Sequence, residues 1–179
     1  MTSFDQERPG SDMIVDTVNH FDFPIGTIVR HDVLETGHNF RVAHLFLFNS
    51  SGELLIQQLS AKRERHPLAW GSSVACYLFA GETYDDAIRR RTAQELGREI
   101  APISFVGRTR MQDVESEKFI GLFRANDDGP FTIDREHIER VQFLPVPEIV
   151  RLMTSGERRF TPTFLHLISF YLGAPRPLG

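Results

Sequence analysis

Glu82, Arg90, Arg91 and Glu95 fall in one run, WGSSVACYLFAGETYDDAIRRRTAQELGREI at residues 70–100. Arg91 and Glu95 are one helical turn apart, so on a helix they share a face. A carboxylate there can hold Mg²⁺ (or Mn²⁺), since magnesium takes oxygen ligands and keeps several of its waters. An arginine there can fork two oxygens of a phosphate. Just upstream, Lys62, Arg63 and Arg65 crowd the segment 60–67, SAKRERHP. Cations on a loop beside such a helix suit a small polyphosphate. The plainer alternatives are a solvated loop for 60–67 and an ordinary i,i+4 ion pair for Arg91 and Glu95. Cys76, the single cysteine, lies in an apolar run. It reads first as a small buried hydrophobe and second as a nucleophile or acid.

These side chains need a strand, a loop and a helix to hold them. Residues 73–79 (SVACYLF) read as the strand. Thr83 is a good N-cap, Asp85 and Asp86 suit the positive end of a helix dipole, and Gly97 is a helix stop. The helix 84–96 buries Ala87, Ile88 and Thr92 at helical period. Upstream, 13–18 and 26–30 read as a hairpin and 32–36 as a short helical turn with Asp32 as its cap. Residues 41–49 and 53–58 form strands joined by Ser-Ser-Gly. Downstream come strands at 103–110, 118–125 and 141–146, then helices at 147–153 (Pro147 at N1) and 161–172. Strands and single helices in this order predict an α/β fold, a mixed sheet covered on both faces.

Composition bounds the rest. The chain has 179 residues, 41% hydrophobic and 25% charged, enough for one well-buried core. Residues 1–12 read as a loose tail and 13–179 as one domain. A net charge of −4 argues against nucleic acid or a membrane surface as partner. No apolar run approaches a membrane span, and the acidic start is no secretory signal. One cysteine suits a reducing cytoplasm. The 15 Phe point to a Phe-rich core. A homodimer is left open.

The stretch from Cys76 to Arg98 resembles the box of the Nudix hydrolases, G-x5-E-x7-R-E-U-x-E-E-x-G-U, where U is aliphatic. Glu82, Arg90, Glu95 and Gly97 match it. The leading glycine is Cys76, and the three metal-binding glutamates fall on Arg91, Gln94 and Glu95. The resemblance covers about residues 13–172 and implies the Nudix α/β/α sandwich with a central mixed β-sheet. It implies Mg²⁺-dependent hydrolysis of a diphosphate, such as a nucleoside diphosphate derivative, attenuated by the eroded box. Glu95 is then the principal metal ligand. Glu82 braces Arg90 or serves as a second ligand, Arg91, Arg63, Lys62 and Arg90 are the candidates to bind phosphate, and Glu115 or Glu117 supplies a general base.

A subgroup resemblance points to type I isopentenyl-diphosphate isomerase. Arg-Arg in place of Arg-Glu, the last glutamate before Leu-Gly, and the Trp-x-x-Ser-Val run at 70–74 are shared with it. That family holds diphosphate with an arginine at the position of Arg91 and a lysine at that of Arg63. Its catalytic cysteine falls on Ala75 and a metal-binding histidine on Tyr77, while His44 matches another ligand. Glu115 and Glu117 are similar to its Glu-x-Glu pair, about one residue out of register. The apolar run 76–79 favours a greasy cleft and a prenyl or other non-nucleotide group. The alternative is therefore a repurposed fold that binds or transforms a prenyl or other diphosphate without hydrolysis, or a non-catalytic binding module.

Overall fold

The computed structural model describes residues 13–173, so the expected tail at 1–12 lies outside the described residues. In chain order the elements are β1 (Ile14–Val18), β2 (Pro24–Val29), β3 (Phe40–Phe48), β4 (Leu54–Leu59), β5 (Trp70–Gly71), β6 (Val74–Tyr77), α1 (Tyr84–Leu96), β7 (Ser104–Asp113), β8 (Ser116–Asn126), β9 (Ile138–Leu144), α2 (Val146–Ser155) and α3 (Pro162–Gly173). The spine is β3. Its sequence FRVAHLFLF is apolar on both faces because both are covered, and every residue but Arg41 is buried. It pairs in parallel with β8 from Phe40↔Lys118 to Phe48↔Asn126, and β7 flanks β8 antiparallel. On its other edge β3 meets β6 (Val42↔Tyr77 to Leu45↔Val74) and, at its end, β4 (Phe48↔Leu54). β4 carries β5 on one edge and β9 on the other. The result is a mixed seven-stranded sheet.

Strand alternation divides the core. Val42, Phe46 and Phe48 face a layer with Phe164, Leu167 and Ile168 of α3 and Ile149 and Leu152 of α2. Ala43, Leu45 and Leu47 face Ala87, Ile88 and Leu96 of α1. Each large side chain buried this way contributes about 1.5–3 kcal/mol. The Phe-rich core is real: Phe46 meets the ring of Phe164 at 5.8 Å, and Phe160 stacks on Phe164 at 5.4 Å. Among the described residues no helix is long and apolar enough to cross a membrane.

β3 and β4 splay apart after their single shared pair, and 70–77 wedges between them. Ser73 holds the fork: its hydroxyl donates to Leu55 O (2.6 Å) and accepts from Leu47 N (2.8 Å). This break was not expected from the sequence, where 73–79 looked like one strand. Two other boundaries also shift. The turn near Asp32 is a 3₁₀ helix, Arg30–Asp32, entered from Val29 with no side-chain cap, so Asp32 is not its N-cap. Val146 rather than Pro147 opens α2, because Pro145 already holds the extended conformation that precedes it.

Candidate functional site

α1 forms where the capping signals put it. Thr83 Oγ1 accepts from Asp86 N (3.1 Å), and Asp86 Oδ2 accepts from Thr83 N (3.3 Å), a reciprocal capping box. At the other end Gly97 takes φ +70, and its N–H bonds Ala93 O. The segment after β8 then docks on the helix end. Thr132 N donates to Leu96 O and Asp134 N to Glu95 O, each at 3.0 Å, so carbonyls the helix cannot satisfy itself are paired. A Cβ on residue 97 would sit 2.7 Å from Thr132 O, which is why glycine is needed.

Arg90, Arg91 and Glu95 emerge from this helix. Glu95 is 3% exposed. Its Oε1 accepts from Arg91 Nε at 2.8 Å and its Oε2 from Gln57 Nε2 at 3.3 Å. Burial pushes its pKa up, opposed by the charges of Arg91 and Arg63 and by the bonds from Gln57 and Arg91. Arg63 stands on the surface of the 60–67 loop. Desolvation nonetheless lowers its pKa, Glu95 raises it, and Arg91 and Arg30 lower it as like charges. The charges of Arg91 and Arg63 therefore both act on Glu95, and Arg30 acts in turn on Arg63. Lys62 is on the same loop, exposed, with its backbone N–H on Ser60 Oγ at 3.2 Å.

Glu82 and Arg90 form a closed brace. Arg90 Nε and Nη2 donate to Glu82 Oε1 (2.7 Å) and Oε2 (2.8 Å), and Phe79 N donates to Oε2 at 2.7 Å. Arg90 also reaches Tyr77 O (3.3 Å) and lies 3.7 Å over the Phe79 ring. The assignment of Arg90 to phosphate therefore gives way: its fork is filled by Glu82. Both oxygens of Glu82 are thus engaged by Arg90 and Phe79 N, so the acid offered as a second metal ligand serves as a brace.

Consecutive residues of β6 face opposite ways. Cys76 pairs with Ala43 and points toward α1, its Sγ 3.5 Å from Ala87 O. Burial pushes its thiol up to about 12. It is a packed hydrophobe, and catalysis by its thiol finds no support. Tyr77 lies on the opposite face, stacked on Phe40 at 5.2 Å with Arg30 5.3 Å from its centroid. Residues 76–79 therefore do not line one greasy cleft: Leu78 is core, and Phe79 is under Arg90.

Glu115 and Glu117 stand apart from Glu95. Glu115 is exposed on the β7–β8 turn. Glu117 pairs with His20 Nδ1 and Arg110 Nη1, each at 3.3 Å. The family resemblance had offered them as bases, but the hairpin between β7 and β8 turns Glu117 toward His20 of the β1–β2 loop and sets Glu115 beside Gly37.

Sequence reasoning missed a polar cluster on the Tyr77 side. Asp113, 8% exposed, accepts from Arg65 Nη2 (2.7 Å), Arg65 Nη1 (3.1 Å) and Lys118 Nζ (2.8 Å). Lys118 Nζ also donates to Thr163 Oγ1 at 2.7 Å. Burial would raise Asp113, but the bonds and charges of Arg65 and Lys118 prevail and hold it near 2. His44 Nδ1 meets Ser72 Oγ at 2.9 Å, and burial with the nearby Lys118 lowers its pKa to about 3. Arg65 thus ties the loop that carries Arg63 to the sheet. Asp22 is a second missed hub: Arg41 Nε (2.6 Å), Arg108 Nη1 (2.9 Å) and Tyr84 Oη (2.9 Å) all bond it.

The Mg²⁺ that the box resemblance implies does not fit these residues. Glu95 has no neighbouring carboxylate on the helix, since Arg91 and Gln94 stand in the other two positions. A magnesium ion keeps most of its waters, and Glu95 is sealed beneath Arg91 and Gln57. Among the described residues the group able to approach metal spacing is Asp134, Glu136 and His137, with ligand atoms within 4.8 Å of one another. Those atoms close their own turn: Asp134 Oδ1 accepts from Glu136 N (3.0 Å) and Oδ2 meets His137 Nδ1 (2.6 Å).

The comparisons agree with this architecture. A Nudix hydrolase of Deinococcus radiodurans is 38% identical over 149 residues, 82% of this chain and 87% of its own. An isopentenyl-diphosphate Delta-isomerase of Burkholderia multivorans is 27% identical over 147 residues, 80% of this chain and 84% of its own. The crystal structure of DR0079 from Deinococcus radiodurans superposes with a TM-score of 0.78 at 25% identity, covering 91% of this chain and 99% of that one. The family model of the NUDIX domain matches residues 38–164. With the sandwich in place and the helix of the box packed on one face of its sheet, the chain belongs to the Nudix hydrolase family.

Proposed function

We propose that this Nudix domain binds the diphosphate group of a small organic diphosphate ester beside the C-terminal half of α1, with attenuated hydrolysis. One observation carries the reading. Arg91, at the helix position one turn before Glu95, is joined there by Arg63 from the 60–67 loop. Forked guanidiniums match phosphate oxygens in geometry and charge. Fixed cations also stabilise the charge that develops on a phosphoryl group.

The organic part of the ester would pass from Arg63 toward Arg30, Tyr77 and the Arg65–Asp113 pair. Those groups offer hydrogen bonds rather than an apolar wall, so a sugar or nucleoside suits them better than a prenyl chain. Isomerase chemistry lacks its groups: Ala75 carries no thiol, Tyr77 replaces a histidine, and His44 is engaged by Ser72. Thermal shift with nucleoside diphosphates and with prenyl diphosphates tests the reading, alongside a phosphate-release assay. Stabilisation by nucleoside diphosphates with slow release is expected. Stabilisation by prenyl diphosphates alone would reverse the choice of substrate, and stabilisation by neither would end the proposal.

A further inference from the structure

We propose that Arg91 takes over the electrostatic role of the divalent ion, so that this domain binds diphosphate without metal. The inference rests on the proposed function and concerns how the same site is charged. In a carboxylate-lined site the metal carries the positive charge that meets the diphosphate. Here the acid that remains, Glu95, already holds a cation of the protein, with both Arg91 Nε and Nη2 2.8 Å from Oε1. Its other oxygen holds Gln57. Glu82, the other acid of the box, is closed by Arg90 and by Phe79 N. Both acids are spent on internal donors, and neither is left to recruit an ion.

The positive charge that faces the ligand is supplied by side chains instead. Arg91 is fixed by Glu95 through Nε and Nη2, so the rest of its guanidinium is held in place before the ligand arrives, and less entropy is lost on binding. Arg63 comes from the 60–67 loop, where it feels the charges of Glu95, Arg91 and Arg30. The loop that bears Arg63 is itself anchored, because Arg65, two residues on, is clamped by Asp113 at 2.7 and 3.1 Å. Cations crowded this way repel one another, and a diphosphate relieves that repulsion. The anion serves here as counter-ion to the arginines, the reverse of a site that must first collect a metal.

Titration calorimetry of the full chain with inorganic pyrophosphate, first in EDTA and then in Mg²⁺, decides it. Wild type is expected to bind in EDTA, with Mg²⁺ changing Kd by less than about threefold. Arg91→Gln and Arg63→Gln are each expected to weaken binding by about tenfold, the loss of one charge-assisted contact. Arg63→Gln lies on an exposed loop, so a result from it stands even if Arg91→Gln folds poorly. Binding by wild type only in Mg²⁺ would overturn this inference and leave the diphosphate reading intact. Binding in EDTA that neither variant weakens would overturn the assignment to these arginines. No binding under either condition would bring down the inference and the proposed function together.

Discussion

Replacing Asp113 by asparagine should cost this protein more stability than most single changes. Asp113 and Lys118 are both buried, at 8% exposure each, and their contact is 2.8 Å. Asparagine keeps the shape and leaves the Lys118 charge without its counter-ion in a poorly solvated place. Breaking a buried pair in this way costs about 3–5 kcal/mol. The Arg65 half counts for less, since that side chain is 46% exposed. A second route gives a figure of the same order. A carboxyl held near 2 instead of its usual 3.8 contributes about 2 kcal/mol at neutral pH. Because the folded value is the depressed one, that contribution is complete above pH 3.8 and fades as pH falls toward 2. Urea unfolding at pH 7 should show the loss in Asp113→Asn, and most of it should return in the double variant Asp113→Asn, Lys118→Met, where the stranded charge is gone. A loss under about 1 kcal/mol would refute the reasoning, and so would a double variant no better than the single. The single variant should also weaken pyrophosphate binding, because the Arg65 clamp positions the loop of Arg63.

Gly97→Ala should destabilise by about 2–4 kcal/mol, from left-handed backbone and overlap with Thr132, and urea midpoints would show it. The overlap is specific: the new Cβ would meet Thr132 O at 2.7 Å and Thr132 Cβ at 2.8 Å. Cys76, with its thiol near 12, should stay unlabelled by a disulfide reagent at pH 8 in the native protein and react fully in urea. His44, near 3 when folded, stays neutral while the unfolded chain takes up a proton below about 6.5. Its effect on stability therefore turns unfavourable as pH drops from 6.5 toward 3, by up to about 1.4 kcal/mol per unit. His44→Gln should flatten the pH dependence of the urea midpoint in that window by one proton's worth.

Much of the fold could be read from local signals. Thr83, the acids after it and Gly97 mark the two ends of α1, and the helix runs Tyr84–Leu96 as expected. Ala87, Ile88 and Thr92 are buried as their spacing predicts. The apolar run of β3 announced a strand covered on both faces. Long-range pairing was not legible. Nothing near Ser72 and Ser73 in the sequence says that two strands will splay there, because the hydroxyl of Ser73 matters only once Leu47 and Leu55 flank it.

The site was legible in its residue types and misread in its partnerships. A pattern of charges identifies a helix face, but whether an acid is free to bind a metal depends on what already holds it. Arg91 and Gln57 hold Glu95, and Gln57 comes from a strand 38 residues earlier. Glu115 and Glu117 looked like bases because the family resemblance puts a base beyond the box; the register of β7 on β8 gives the buried acidic position to Asp113 instead. One residue of register decides which acid faces inward, since side chains alternate along a strand. The same rule separates Cys76 from Ala75, and it removes thiol chemistry from the face where Tyr77 and His44 stand. What the sequence offered as an eroded metal box is, once partners are known, a set of ion pairs already closed within the protein. A ligand with several negative oxygens is the partner we propose for the face that carries Arg91 and Arg63.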